Sequence, residues 1–245
     1  MRPPVLILSY LELSGKHGLA ADLRAAEALG ANPLPVLTAV SLGPASAPQR
    51  LHPVPGHALG RMLDAALECA PVAAMVGVLT RARHVRLVAR RLHACGPSTI
   101  VLAPLSVAFD ARPLVGRWAL TTVRRRLLTE ATAVVLPARQ ASGLVPGADD
   151  SLPNMKMAGQ RLLDLGARAA WLRAGSHEGR SIEVFVDQHG PGLLDYPPPS
   201  PESEPNAAPT ALATLLACGS NLRDSIDKAH RHVYDLDRSA HRILK

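Results

Sequence analysis

A chain of 245 residues that is 47% apolar but only 3% aromatic excludes wholesale disorder and can bury a sizeable core, built mainly from Leu, Val and Ala. Three scattered cysteines, Cys69, Cys95 and Cys218, offer neither a disulfide framework nor a metal-ligand spacing. The net charge of +7 raises nucleic-acid binding, but Arg81, Arg83, Arg86, Arg90 and Arg91, then Arg117, Arg124, Arg125 and Arg126, alternate with apolar residues as on solvated helix faces. With few aromatics to stack on bases, no nucleic-acid partner is expected.

The first elements in the chain read as a βαβ unit. An apolar strand over Val5–Tyr10 enters the loop Leu13-Ser14-Gly15-Lys16-His17-Gly18. A helix then runs from Leu19 through Asp22 to Leu29-Gly30, and a strand follows over Pro35–Val40. Asp22, near that helix's N-terminus, is placed where a carboxylate can meet a polar ligand. Alternation continues with a helix over His57–Cys69, a strand over Ala73–Leu79, and a helix over Ala82–Cys95 stopped by Gly96-Pro97. A strand over Thr99–Ala103, a helix over Gly116–Leu128 and a strand over Ala131–Pro137 come next. The last third adds a helix over Asn154–Leu165, strands over Ala169–Arg173 and Ser181–Asp187, and two closing helices over Ala208–Cys218 and Leu222–Leu244.

Strands separated by helices imply parallel pairing, with helices on both sheet faces. One α/β domain spanning 1–245 is expected, with residues 190–209 as a Pro-rich surface loop. No apolar run reaches the ~18 residues of a membrane span, and no signal-like segment is read at the start. No membrane partner and a cytoplasmic location are expected.

The first forty residues resemble the start of the hydroxymethylpyrimidine and phosphomethylpyrimidine kinases of thiamine biosynthesis, in the ribokinase-like superfamily. Their S-G-G-A-G-I-Q-A-D-L-K is similar to Ser14-Gly15-Lys16-His17-Gly18-Leu19-Ala20-Ala21-Asp22-Leu23-Arg24, followed here by Ala28-Leu29-Gly30 and Leu37-Thr38-Ala39. Later, Val76-Gly77-Val78-Leu79 is similar to K-I-G-M-L. Ile100-Val101-Leu102-Ala103-Pro104-Leu105-Ser106 is similar to V-V-L-D-P-V-M, and Leu172-Arg173-Ala174-Gly175-Ser176-His177 stands where the family has V-K-G-G-H. The resemblance implies a ribokinase-like three-layer αβα sandwich with a mostly parallel sheet, and a homodimer.

For the site, the resemblance implies a pyrimidine pocket at Asp22, Tyr10, Gly43, Val78 and Leu105. Val78 and Leu105 supply apolar walls; Tyr10 replaces a family glycine, and Gly43 replaces a glutamine. The phosphate turn H-G-T-G-C aligns with Asn206-Ala207-Ala208-Pro209-Thr210. There a Cβ replaces each glycine hydrogen, Pro209 removes an N–H, and Thr210 takes the place of the family's catalytic cysteine. On the nucleotide side the matching positions are Ala208 and Arg173, the latter for a lysine. T-P-N-x-x-E has become Leu136-Pro137-Ala138-Arg139-Gln140-Ala141, and the strand-end aspartate has become Ala103.

A family scaffold with its phosphotransferase activity lost or strongly impaired is therefore expected, binding a small pyrimidine-type ligand or a protein partner. No metal site is expected, and no cofactor is certain; Mg-ATP is the cofactor if the chain is active. The alternatives are an active kinase using Lys16, Arg173 and the 207–210 helix start, and a non-enzymatic dimer partner. His17, beside Lys16 and Glu12, reads as a solvated loop residue.

Overall fold

The computed structural model describes residues 1–42, 50–104, 115–177, 180–196 and 207–243. The elements are β1 (Pro4–Leu11), α1 (Leu19–Ala28), β2 (Asn32–Ser41), β3 (Leu51–Pro53), α2 (Gly56–Glu68), β4 (Ala73–Val76), α3 (Ala82–Cys95) and β5 (Thr99–Leu102). Then come α4 (Arg117–Arg126), β6 (Ala133–Pro137), α5 (Leu152–Asp164), β7 (Ala170–His177), β8 (Arg180–Asp187), β9 (Gly190–Tyr196), α6 (Ala208–Ala217) and α7 (Leu222–Ile243).

The strands form one sheet in the order β3-β2-β1-β4-β5-β6-β7-β8-β9. Pairing is parallel from β2 through β7 and antiparallel at β2–β3, β7–β8 and β8–β9. Both faces are covered, so the strands bury alternate residues in two cores. Leu6, Leu8, Val76, Leu102 and Leu136 face α2, α3, α4 and α5. Val5, Ile7, Met75, Val101 and Val135 face α1, α6 and α7. This is the expected αβα sandwich. The arginines at 81, 83, 86, 90, 117 and 124–126 are exposed, as their spacing implied.

Two elements differ from expectation. Residues 190–196 form β9, not the start of the Pro-rich loop. Pro191 sits opposite Val186 on an edge strand, where proline is tolerated, and the glycines hide the period-2 alternation. The three-residue β3 is too short to show a pattern. Gly43 and Leu105 lie outside the described residues, as does most of the Pro-rich segment.

Candidate functional site

Helix α1, which links β1 to β2, covers one face of the sheet, while α2 and α3, flanking β4, cover the other. The connections thus diverge between β1 and β4, and a crevice opens at the C-terminal ends of these strands. Ser9, Tyr10, Gly18, Asp22, Met75, Gly77, Val78, Ala103 and Pro209 line a cleft of about 40 Å³ there, room for a few waters.

The loop before α1 is folded around Glu12. Its carboxylate accepts from Ser14 Oγ at 2.7 Å and from the Ser14 and His17 amides at 3.3 Å each. Arg24 donates to the Gly15 carbonyl, closing the turn from the helix side. Gly18 returns the chain to β1 through a bridge with Leu11. It has φ +63°, and a Cβ on it would lie 2.2 Å from the Tyr10 carbonyl oxygen. The resemblance matched this glycine, and the backbone requires it. Gly18→Ala is expected to cost about 3 kcal/mol or more, read as a fall in the urea midpoint at unchanged m-value.

Asp22 is 4% exposed. Thr210 Oγ1, itself fully buried, donates to Asp22 Oδ1 at 2.7 Å. The first helix and α6 therefore meet at this carboxylate, across 188 residues of sequence. Burial raises the Asp22 pKa from its usual 3.8 to about 6, against the opposing pull of hydrogen bonds from Thr210 and Ser9. Tyr10 is pushed up to about 12, by burial first and then by the Glu12 and Asp22 charges, so it presents a neutral phenol to the cleft.

A carboxyl that holds its proton more tightly when folded stabilises the fold fully below the unfolded pKa. That contribution drains as pH rises through the folded pKa. For Asp22 the window runs from about 4 to about 6, and the shift corresponds to about 3 kcal/mol. Asp22→Asn still accepts from Thr210 and removes the ionisable group. It is expected to raise Tm at about pH 8, to leave it little changed near pH 4, and so to flatten the pH–stability profile.

The other expected site residues are placed as follows. Val78 is buried at the cleft wall and Tyr10 is half-buried at its rim. Ala207, Ala208, Pro209 and Thr210 are all buried at the start of α6. No side chain caps this helix, and the Ala211 amide bonds back to the Ala207 carbonyl at 2.8 Å. Pro209 has no amide hydrogen, so the first turn offers fewer donors than a glycine turn would. Ala138 and Ala141 are the buried residues of the 3-10 turn Ala138–Gly143 and pack into the core, where a carboxylate would have no access to solvent.

Arg173 is not brought to the cleft residues. Its Nε donates to Glu183 Oε1 at 2.9 Å, and its guanidinium lies 5.8 Å from the Trp171 ring. Glu183, on β8, also accepts from Trp171 Nε1 at 2.8 Å and pairs with His230 Nδ1 of α7 at 2.7 Å. Burial pushes the Glu183 carboxyl up, but the Arg173 charge and the His230 hydrogen bond outweigh it and leave the pKa below the usual carboxylate range. The sequence signal for this cluster was a lone glutamate inside the apolar strand Ile182-Glu183-Val184-Phe185-Val186. Among the described residues, no three His, Cys, Asp or Glu side chains converge as a metal cluster, and no helix is long and apolar enough to cross a membrane.

The sheet order, the two helical layers and the cleft at the β1–β4 ends define a ribokinase-like α/β fold. A structure of phosphomethylpyrimidine kinase from Clostridium difficile superposes with TM-score 0.84 at 18% identity, covering 96% of this chain and 99% of that one. Staphylococcus aureus pyridoxal kinase in complex with pyridoxal superposes at TM-score 0.87 and 20% identity, covering 94% and 86%. The family model described as phosphomethylpyrimidine kinase matches residues 13–244. The chain belongs to that family.

Among curated relatives, the thiamine biosynthesis bifunctional protein of Geobacter sulfurreducens is 28% identical over 239 residues, which are 95% of this chain and 48% of that protein. The chain thus spans about half of that relative's length. The hydroxymethylpyrimidine/phosphomethylpyrimidine kinase of Streptomyces coelicolor is 27% identical over 230 residues, covering 94% and 85%.

Proposed function

We propose that this chain is a phosphomethylpyrimidine-kinase relative without phosphotransferase activity, which keeps the β1–β4 cleft as a binding site for a small planar ligand of the aminopyrimidine class. The observation that carries this reading is the buried, uncapped start of α6. Ala207, Ala208 and Pro209 stand where a transferred phosphoryl group needs close, open amide donors. Thr210 spends its hydroxyl on Asp22.

The residues present do not fit a magnesium nucleotide. Ala103, Ala138 and Ala141 replace the acidic and amide positions, and Glu183 already neutralises Arg173. The cleft retains a polar floor in Asp22 and Ser9 and an apolar wall in Val78 and Met75, a combination suited to a flat ring with hydrogen-bonding edges. Its small volume identifies Tyr10 as the side chain that has to yield to a ring.

Ligand occupancy raises Tm by mass action, so a thermal-shift series with hydroxymethylpyrimidine, its phosphate and Mg-ATP tests the reading directly. A shift with the pyrimidines and none with Mg-ATP is expected. Tyr10→Gly enlarges the cleft and is expected to increase the pyrimidine shift. No pyrimidine response from either protein overturns the binding half of the proposal.

A second reading rests on the Thr210–Asp22 pair. A hydroxyl hydrogen-bonded to a carboxylate of pKa about 6 is the arrangement an activated base would need, so an active kinase would work through it. ATP turnover abolished by Asp22→Asn would establish that reading in place of the first.

A further inference from the structure

His84 lies on the inner side of the first turn of α3 and is 1% exposed, yet neither ring nitrogen has a hydrogen-bond partner. An orphaned buried imidazole is costly. Its Nε2 edge is turned toward the start of α2, where a Cβ built on Gly56 would lie 3.8 Å from Nε2. Two helix N-termini therefore meet at this ring, those of the 13-residue α2 and the 14-residue α3.

Neither helix carries a side-chain cap. The Leu59 amide bonds to the Pro55 carbonyl and the His84 and Val85 amides bond to the Arg81 carbonyl, so the amides ahead of them in each first turn have no partner within the helix. Thr80 Oγ1, one residue before the α3 N-cap, is also buried without a partner. Arg81 and Arg83 are exposed beside the ring. Burial, and then the charges of Arg83 and Arg81, lower the His84 pKa. Among the described residues, no acidic group is a cause of that shift.

Two positive dipole ends, two arginines and an unpaired imidazole thus converge with no compensating negative charge among the described residues. Gly56 and Ala82, at the two helix starts, are half-buried rather than sealed in the core.

We propose that the converging N-termini of α2 and α3, with His84 between them, form a binding site for a small tetrahedral oxyanion of the phosphate class. The oxyanion accepts from first-turn amides of both helices and from one imidazole nitrogen, while Arg81 and Arg83 hold its charge from the solvent side. None of these residues lines the Asp22 cleft.

The test follows the Tm of the full chain and the His84 ring signals by NMR during titration with inorganic phosphate, at constant ionic strength made up with chloride. A saturable rise in Tm and a saturable His84 shift are expected. His84→Leu removes the orphaned nitrogens, so it is expected to be at least as stable as the parent in chloride and to lose about tenfold or more in phosphate affinity. Arg81→Gln with Arg83→Gln keeps the buried ring and reads the same site through His84 if the leucine variant does not fold; its phosphate response is expected to weaken. A parallel arm with methyl phosphate separates the sources: a stronger response to the ester points to a phosphorylated metabolite, a stronger response to phosphate to the free ion. An unsaturable or absent response overturns the proposal, and so does an equal response from parent and variants. Either result leaves a buried water as the partner of His84.

Discussion

Purified protein given hydroxymethylpyrimidine, or its phosphate, and Mg-ATP is expected to form product at least about ten-thousandfold more slowly than an intact family kinase. The size of the loss follows from the start of α6. Removing one preorganised donor from a site of developing negative charge costs about 10²–10³ in rate, and loss of a positioned base costs about 10²–10⁴. Pro209 takes the place of one glycine and removes its donor outright, Ala207 puts a methyl group where the other glycine stood, and Thr210 is committed to Asp22. Even if these effects overlap, as such losses do, a deficit of at least about ten-thousandfold relative to an intact family kinase is expected. Coupled detection of ADP, with product identified by mass, decides it. Turnover within about a hundredfold of an ordinary kinase, whose kcat is about 1–100 s⁻¹, would show that the helix start is no obstacle and would favour the Thr210–Asp22 pair as its chemistry.

The largest stability effect is expected at Glu183. Its carboxylate accepts from Trp171, Arg173 and His230, with 2% of its side chain exposed. Glu183→Ala strips all three donors of their acceptor and leaves Arg173 partly buried without its counter-charge, a change worth about 3–5 kcal/mol. At about 2–4 °C per kcal/mol for a chain of this size, Tm falls by about 10 °C. Glu183→Gln keeps an acceptor for Trp171 and loses less. Trp171 is fully buried and Trp118 exposed, so a red shift of the buried indole's emission in Glu183→Ala reports opening of the β8–α7 contact. A loss below about 1 kcal/mol with unchanged emission would mean that this cluster does not fasten α7 to the sheet. A neighbouring contact, Arg223 donating to Asp187 Oδ1 at 2.6 Å, holds the first turn of the same helix to the same strand and limits the damage to the far side.

Much of the architecture was legible from local pattern. The runs Val5–Leu8, Ala73–Val76 and Thr99–Leu102 are strands covered on both faces and therefore continuously apolar, and the helices between them carry stripes such as Val85, Val88 and Leu92. Strand β9 was not legible, because Pro191, Gly190 and Gly192 erase the alternation that marks a strand and its edge position tolerates them. Of the cleft, Asp22, Tyr10 and Val78 were found through the family motif. Ser9 and Met75 were read only as parts of apolar strands, although both line it.

Local chain chemistry, with the family resemblance, is enough to state which residues make strands and helices, that glycines stand in the first loop, and that the phosphate turn has lost its own. Each of these depends on neighbours a few residues away, on a hydrophobic period or on the presence of a Cβ. The partners of the polar side chains depend on contacts between distant elements. Nothing near Thr210 in the chain points to Asp22, nothing near Arg173 points to Glu183 with His230, and nothing near His84 points to the start of α2. Burial assigns those partners, because a carboxylate, a guanidinium or an imidazole taken out of water is governed by whatever the folded chain sets beside it. Arg173 therefore serves as a counter-charge within a buried cluster, Thr210 as a donor to Asp22, and His84 as an imidazole without a partner where two helices begin.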